Sequence, residues 1–284
     1  MERATRIEEV RRRLDPERNA GRRIGFVPTM GNLHAGHLAL VARARAECDL
    51  VVASVYVNPL QFGANEDFDR YPRTLEADAA QLAEAGCDLL FCPRDEEMYP
   101  NGLAEQTRVV PTALAEVLCG ASRPGHFAGV ATVVAKLFNI VRPHVAYFGT
   151  KDYQQLLVVR RMVEDLCYDL EVVGVPTVRE PDGLALSSRN AFLTPDERRR
   201  APVLYQTLCW LAEQLRGGRR DFAALEEEGR KRIAAAGFRP DYLAVVGAQT
   251  LAPPSPGERE LVVLGAMYAQ AARLIDNLPV QVGD

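Results

Sequence analysis

The chain has 284 residues, of which 48% are hydrophobic and 25% charged, as in a globular protein with a full core. A formal net charge of −4 argues against a large nucleic-acid surface, and acidic residues flank each of the basic runs. No apolar stretch reaches the 18 residues that indicate a membrane span, and the N-terminus does not resemble a secretory signal. Six cysteines without a Cys-x-x-Cys pair indicate reduced thiols rather than disulfides or a zinc site. We therefore expect a cytoplasmic protein with no nucleic-acid partner, no membrane partner and no metal site of its own.

Short apolar runs alternate with helical segments through the first 175 residues. The runs that predict buried strands are 24–27, 50–57, 88–92, 145–148 and 170–175. The segments that predict helices are 36–47, 74–85, 129–141 and 153–166. This alternation favours an α/β fold, a Rossmann-like parallel sheet with helices on both faces. Such a sheet binds its ligand beyond the carboxyl ends of the strands.

The pattern changes after residue 175. A loop rich in proline and glycine ends at Asn190, and Thr194-Pro-Asp-Glu197 then predicts a capping box that begins a helix. Two helices, 195–216 and 222–236, precede three short apolar runs at 242–246, 261–264 and 272–275. We expect two domains, a Rossmann-like domain over 1–175 and a smaller α+β domain over 176–284.

The loop between the first strand and the first helix carries two glycines and two histidines. His34 and His37 are three residues apart, so both imidazoles can lie on one side of the helix start. That helix start offers free peptide N–H groups and a positive dipole end, which suit a phosphate. Imidazoles there can donate hydrogen bonds to charge that develops during nucleotidyl transfer. The loop predicts a nucleotide site, although His34 is also consistent with a simple capping role.

Polar clusters follow two further strands and should lie at the same edge of the sheet. Asn58 and Gln61 follow the second strand, and 149–155 follows the strand 145–148. A fourth cluster, 186–190, could fold over that edge. Each has a structural alternative: turn residues at Asn58 and Gln61, and a capping box between Asp152 and Gln155. The remaining alternatives are loop filler or surface charge in the fourth cluster and an exposed turn at Arg123 and His126.

Several ordered blocks resemble the pantothenate synthetase family. His34-x-Gly-His37 resembles the His-x-Gly-His signature of the wider nucleotidyltransferase superfamily, and 186–189 resembles its mobile phosphate-binding motif. The blocks that match the family are 28–37, 56–62, 71–74, 123–127, 183–190 and 273–277. The resemblance implies ATP-dependent condensation of (R)-pantoate with β-alanine through pantoyl adenylate, with release of AMP and pyrophosphate. It also implies Mg²⁺ on the ATP phosphates and a homodimer.

The resemblance assigns roles residue by residue. ATP is assigned to Met30, Gly31, Asn32, Leu33, His34, Ala35, Gly36, His37, Gly149, Thr150, Lys151, Asp152, Val178, Leu186, Ser187, Ser188 and Arg189. Catalysis is assigned to His37 as proton donor, with His34, Lys151, Ser187, Ser188 and Arg189. Pantoate is assigned to Gln61 and Gln155, with Asn58 and Arg123 as helpers. The first domain would thus bind ATP and pantoate, and the second would carry the Ser-Ser-Arg loop at the junction.

Two residues depart from the family pattern, and two other functions stay open. Thr150 stands where the family has glutamate, and Cys119 stands where it has an acidic residue, which removes a possible partner of Arg123. One alternative function is another nucleotidyltransferase that keeps the nucleotide in its product. The other is a non-catalytic module that binds ATP or tRNA. The first alternative would release pyrophosphate without forming AMP, and the second would bind ATP or RNA without turnover.

Overall fold

The computed structural model describes residues 1–63 and 66–283, and their contacts divide the chain into two compact units. The first unit comprises Met1–Thr150 and Gln154–Pro176, and the second comprises Lys151–Tyr153 and Thr177–Asp284. The short segment Lys151–Tyr153 therefore groups with the second unit, which the sequence pattern did not indicate. Among the described residues, no helix is both long and apolar enough to span a bilayer.

The first unit is built on a six-stranded sheet in which every pair of neighbours is parallel. Its strands are β1 (Glu2–Ala4), β2 (Ile24–Thr29), β3 (Leu50–Val55), β4 (Leu89–Phe91), β5 (Val145–Gly149) and β6 (Glu171–Val175). Their order across the sheet is β1-β4-β3-β2-β5-β6. The chain places β3 and β4 on one side of β2 and then β5 and β6 on the other, so the strand order reverses between β2 and β5. The predicted α/β fold is confirmed. Ligands of such sheets bind at a reversal of this kind, outside the carboxyl ends of the strands.

Helices cover both faces of this sheet. They are α1 (Ile7–Asn19), α2 (Ala35–Glu47), α3 (Leu75–Glu84), α4 (Asp95–Met98), α5 (Cys119–Ser122), α6 (His126–Val141) and α7 (Tyr153–Asp165). One core joins α1, α6 and α7 to strand residues such as Phe26, and the other joins α2 and α3 to residues such as Val27. Adjacent strand residues point to opposite faces, so Phe26 and Val27 enter different cores. The pattern missed α1 because only two of its residues, Val10 and Leu14, are buried.

The second unit is a three-stranded antiparallel sheet with three helices. The strands are β7 (Arg239–Gly247), β8 (Glu260–Tyr268) and β9 (Arg273–Gln281), and the helices are α8 (Pro195–Arg200), α9 (Val203–Arg216) and α10 (Phe222–Ala235). The capping box at Thr194 and Glu197 is confirmed. The prediction of one helix over 195–216 is wrong, because the chain breaks it after Arg200. Pro202 has no N–H to continue the hydrogen-bond ladder, which explains the break.

Candidate active site

Three of the candidate polar segments follow neighbouring parallel strands. They come after β2, β3 and β5, and β2 lies between the other two. Thr29 at the end of β2 pairs in register with Val55 at the end of β3. The segments therefore start from one edge of the sheet, beside the chain reversal between β2 and β5.

The loop after β2 makes a tight turn before α2 begins. Gly31 has a φ of 81° and Asn32 a φ of 52°, so two consecutive residues adopt the left-handed conformation. The Thr29 hydroxyl donates to the carbonyl of Ser54 at 2.8 Å and accepts from the N–H of Gly31 at 3.2 Å. These bonds tie the start of the turn to the neighbouring strand.

His34 and His37 form a reciprocal cap at the start of α2. Nδ1 of His34 accepts from the N–H of Gly36 at 3.1 Å, and Nδ1 of His37 accepts from the N–H of His34 at 3.3 Å. The two rings lie 4.1 Å apart between centroids. Because each Nδ1 accepts, the hydrogen-bond network assigns the proton of each neutral ring to Nε2. The capping alternative for His34 therefore holds, and the same bonds leave both Nε2–H groups as the donors of the pair.

Gln61 lies beside the loop and is held by Asn58. The Gln61 amide nitrogen contacts the sulfur of Met30 at 3.1 Å, and its amide oxygen accepts from Asn58 at 3.1 Å. Asn58 is fully buried and also bonds the carbonyl of Gly129, the hydroxyl of Tyr99 and its own turn. These bonds use all four hydrogen-bonding positions of the Asn58 amide. Asn58 thus supports Gln61, in agreement with the turn alternative, and its role as a helper in pantoate binding stays a prediction.

Arg123 is paired with a carboxylate that sequence reasoning missed. Its guanidinium binds both carboxylate oxygens of Glu66, at 2.6 and 2.5 Å. Burial raises the pKa of Glu66, but the hydrogen bond and charge of Arg123 outweigh it and hold the pKa below its ordinary value. The sequence had suggested that Cys119 deprives Arg123 of a partner, but Glu66 supplies one. The partner is 57 residues away in sequence, so no local pattern could have indicated it.

The same arginine and His126 hold the backbone of Gln61. Nδ1 of His126 donates to the Gln61 carbonyl at 2.8 Å, and its Nε2 accepts from Arg123 at 3.0 Å. The turn is exposed at Pro124 and Gly125, as the structural alternative expected, but the Arg123 side chain is only 17% exposed and His126 is half-buried. A cavity of about 280 Å³ adjoins this network, lined by Pro59, Leu60, Gln61, Phe62, Gly63, Arg108, Pro124, Gly125 and His126.

Two adjacent glutamines near the start of α7 have different surroundings. Gln154 is 4% exposed, and its amide bonds the backbone of Leu114, Val117 and Cys119 at 2.7–3.0 Å. Gln155 is half-buried and comes next along the helix. Successive helical side chains point about 100° apart, so the inward anchor of Gln154 orients Gln155. The turn Thr150–Asp152 precedes them, with Lys151 half-buried and Asp152 exposed.

In the second unit, the Ser-Ser-Arg motif continues from a short hairpin. The N–H of Leu186 donates to the carbonyl of Val178 at 3.0 Å, and Arg179 bridges to Ala185. The hydroxyl of Ser187 accepts from the N–H of Arg189 at 3.2 Å and begins a short 3₁₀ turn, Ser188–Phe192. The motif therefore has an ordered local structure.

A buried ion pair joins this hairpin to β9. Arg179 binds both oxygens of Asp276, at 2.6 and 2.9 Å, and stacks on Tyr205 at 3.7 Å from the ring centroid. The next residue, Asn277, donates to the carbonyl of Lys151 at 2.8 Å. Strand β9 thus holds both the hairpin and the backbone of Lys151. The sequence had indicated only that 273–277 fits the family.

Comparisons with known proteins agree with this fold over nearly the whole chain. The family model described as pantoate-beta-alanine ligase matches residues 2–279. Pantothenate synthetase of Saccharophagus degradans is 58% identical over 282 residues, covering 99% of both chains. That of a Pseudomonas putida strain is 60% identical over 272 residues, covering 96% of this chain and 95% of the relative.

Solved structures give the same result. Pantothenate synthetase from Thermus thermophilus superposes with a TM-score of 0.91 at 56% identity, over 98% of this chain and 99% of that one. Pantoate-beta-alanine ligase from Francisella tularensis, complexed with beta-gamma ATP and β-alanine, has a TM-score of 0.81 at 35% identity. It covers 98% of this chain and 97% of that one. The fold is that of the Rossmann-like α/β class. Within it, the chain belongs to the pantoate-beta-alanine ligase family.

Proposed function

We propose that this protein joins (R)-pantoate to β-alanine at the expense of ATP, forming pantothenate through a pantoyl-adenylate intermediate. The observation that carries the proposal is the pair of Nε2–H imidazoles at the start of α2, in a chain of this family. A helix start with two imidazole donors suits negative charge that grows on departing phosphate oxygens.

The reaction has two steps that balance in atoms and charge. A pantoate carboxylate oxygen attacks the α-phosphorus of ATP, and the bond from that phosphorus to the bridging oxygen breaks to release pyrophosphate. The β-alanine amine then attacks the activated carbonyl, loses a proton, and displaces AMP. A free carboxylate would have to expel oxide, so adenylation supplies the leaving group that makes the amide bond accessible.

The resemblance draws the proposed ATP ligands from several segments of the chain. The 30–37 loop would bind the phosphates, with His37 as proton donor and His34 beside it. Lys151, Ser187, Ser188 and Arg189 would stabilise the charge on pyrophosphate. Backbone groups of 149–152, Val178 and Leu186 would complete the site. The resemblance also supports a cytoplasmic homodimer.

Magnesium would enter with ATP rather than occupy a site built by the chain. Among residues 1–63 and 66–283, no three His, Cys, Asp or Glu side chains are grouped to hold a metal ion. Mg²⁺ favours phosphate and water oxygens, and on the β- and γ-phosphates it would neutralise charge. The resemblance implies that water and ATP itself hold the ion in part.

The pantoate site would be formed by Gln61 and Gln155. Neutral amides can bind the hydroxyl and carboxylate groups of pantoate without repelling its negative charge. Arg123 is already bound to Glu66 and to the Gln61 backbone, so we assign it, like Asn58, to the support of Gln61. The first domain would thus bind ATP and pantoate, while the second carries the Ser-Ser-Arg loop.

A substrate-omission experiment tests this function. The protein is incubated with ATP, Mg²⁺, pantoate and β-alanine, each omitted in turn, while AMP is measured. We expect AMP in quantity only with all four, and pantoate-dependent pyrophosphate exchange without β-alanine. Release of pyrophosphate with the nucleotide retained in the product would indicate another nucleotidyltransferase. Binding of ATP or RNA without turnover would indicate a non-catalytic module.

A further inference from the structure

A buried carboxylate lies directly behind the loop that carries the two histidines. Asp78 belongs to α3 and is only 1% exposed. Its Oδ1 accepts from the N–H of Leu33 at 2.8 Å, and its Oδ2 accepts from the N–H of Asn32 at 3.0 Å. The hydroxyl of Thr74 donates to Oδ2 at 3.0 Å. The carboxylate is therefore bound to two consecutive peptide groups of the loop.

This carboxylate receives its stabilisation from hydrogen bonds rather than from a cation. In the part of the chain that the structure describes, no Lys or Arg forms an ion pair with Asp78. A buried carboxylate needs either a cation or hydrogen-bond donors as partners, and hydrogen bonds to an ionised acceptor are stronger than those between neutral groups. The path of the loop backbone therefore depends on its hydrogen bonds to Asp78.

The turn that Asp78 holds has an unusual backbone. Gly31 and Asn32 both have positive φ, a backbone conformation that residues other than glycine rarely adopt. A Cβ at Gly31 would lie 2.9 Å from Oδ2 of Asp78 and 3.0 Å from the Val55 side chain. Only glycine allows the carboxylate to approach so closely. Backbone of this kind persists only where its surroundings determine it.

We propose that Asp78 is a positioning residue for adenylate formation, acting through the 30–37 loop. Asp78 accepts hydrogen bonds from the N–H groups of Asn32 and Leu33, the two residues directly before His34. His34 begins the cap that orients both imidazoles. Asp78 sets where this cap starts, and so where the two Nε2–H groups meet the phosphates. The effect of Asp78 on adenylate formation rests on the proposed function, whereas its effect on the orientation of the histidines does not.

Most contacts of the pantoate residues lie outside the turn that Asp78 holds, although the Gln61 amide also contacts Met30, just before Gly31. Gln61 is supported by Asn58 and His126, and Gln155 follows the anchored Gln154. Loss of Asp78 should therefore affect the ATP-dependent chemistry much more than the affinity for pantoate. A residue with a purely structural role would lower stability without this separation.

The test compares Asp78→Asn with Asp88→Asn. The first change keeps the shape but replaces one acceptor oxygen by an NH₂ group, which cannot accept a peptide N–H. Asp88 is a matched control, because its carboxylate accepts from the N–H of Val51 at 2.7 Å at the other end of β3. We expect Asp78→Asn to lower pyrophosphate exchange about 10²-fold, the scale for misplaced catalytic groups, with the pantoate KM within about twofold. Asp88→Asn also breaks an ion pair with Arg45, so it can lower stability, but both kinetic values should stay within about twofold of wild type.

A second readout needs no substrate. The chain has four histidines, so ¹⁵N spectra can resolve each ring and its tautomer. In Asp78→Asn we expect altered His34 and His37 signals, with His126 and His144 unchanged. Unaltered signals, or a pantoate KM that rises as much as exchange falls, would overturn the proposal. If Asp78→Asn does not fold, Thr74→Val removes one bond to the carboxylate and must shift the same two signals. Failure of the proposed function would instead appear as absence of AMP with the wild-type protein.

Discussion

Two loops of this molecule each depend on a buried aspartate from a distant part of the chain, but in different ways. Asp78 accepts hydrogen bonds from peptide N–H groups of the 30–37 loop, whereas Asp276 binds the guanidinium of Arg179 at the base of the 178–186 hairpin. The first contact holds the backbone next to the histidines. The second holds a side chain eight residues before Ser187, whose own bonds are local.

This difference bears on how each loop should respond to change. A carboxylate bound to peptide groups defines the path of the backbone, so its loss should disturb the adjacent histidines directly. An ion pair between side chains supplies stability to the whole hairpin, and its loss should appear first in unfolding. Substitutions at the two loops should therefore separate an effect on catalysis from an effect on stability.

The largest effect should come from the loop histidine itself. We expect His37→Ala to lower adenylate formation about 10²–10³-fold, the scale for loss of one donor to transition-state charge. Pantoate-dependent pyrophosphate exchange measures it. His144→Asn, at the opposite end of the sheet, is the control and should retain wild-type exchange. Near wild-type exchange in His37→Ala would exclude the assigned role.

The hairpin anchor should give a large loss of stability. Asp276→Asn leaves Arg179 without its charge partner in a largely buried place, and breaking such a pair costs about 3 kcal/mol. Urea unfolding measures this loss, and Asp241→Asn is a matched control because it breaks the Arg273 pair elsewhere in the same sheet. Both variants should lose stability, but only Asp276→Asn should also slow the ATP-dependent step. Equal catalytic losses in the two would show that the hairpin contact has no special role.

The two adjacent glutamines allow a sharper comparison. Gln155→Ala should raise the pantoate KM about tenfold, as expected for one lost hydrogen bond, with little change in Tm. Gln154→Ala should mainly lower Tm, with a smaller rise in the pantoate KM, because it leaves the backbone groups of Leu114, Val117 and Cys119 without their partner. Steady-state kinetics and thermal unfolding measure both. A large Tm loss with unchanged pantoate dependence in Gln155→Ala would instead support the capping-box alternative.

The smallest effect should appear at the amino end of the sheet. Nδ1 of His144 accepts from the N–H of Ile24 at 2.9 Å, so protonation at Nδ1 removes this bond. Partial burial lowers the pKa of His144 below its ordinary value, Arg18 and Arg23 lower it further, and Asp169 opposes them. Below an ordinary pKa of about 6.5 the unfolded chain therefore binds more protons, and stability falls as the pH falls.

The measurement is urea unfolding between about pH 7.5 and pH 5, compared with His144→Asn. The amide oxygen of asparagine can accept from Ile24 but does not titrate in this range. The difference between the two proteins should grow as the pH falls through the range of histidine. A constant difference would show that His144 does not contribute to the acid sensitivity of the fold.

Local pattern predicted much of the fold. The five runs in the first unit became β2–β6 with ends shifted by at most two residues, and the capping box at Thr194 formed as expected. These features depend on neighbours in sequence, since strand alternation, helical periodicity and capping all act within a few residues. The pattern failed at Pro202, where one missing N–H divided a predicted helix.

The candidate site was predicted only in part. The clusters at 30–37, 58–61 and 149–155 follow adjacent strands, as topology requires. The contacts that hold those clusters in place were not predicted, although the sequence offers a signal for one of them. Asp78 lies four residues before Leu82 on the buried side of its helix, where a carboxylate needs an explanation. Glu66 offered no such signal.

The sequence by itself determined the alternation of strands and helices, the place of the phosphate loop after β2, and the residue types available for the chemistry. Only the tertiary structure decided which carboxylate serves which group: Asp78 the loop, Glu66 the arginine, Asp276 the hairpin. These pairs are separated by 46, 57 and 97 residues. Hydrogen bonds and ion pairs act over a few ångströms of space, and the folded topology alone sets that distance.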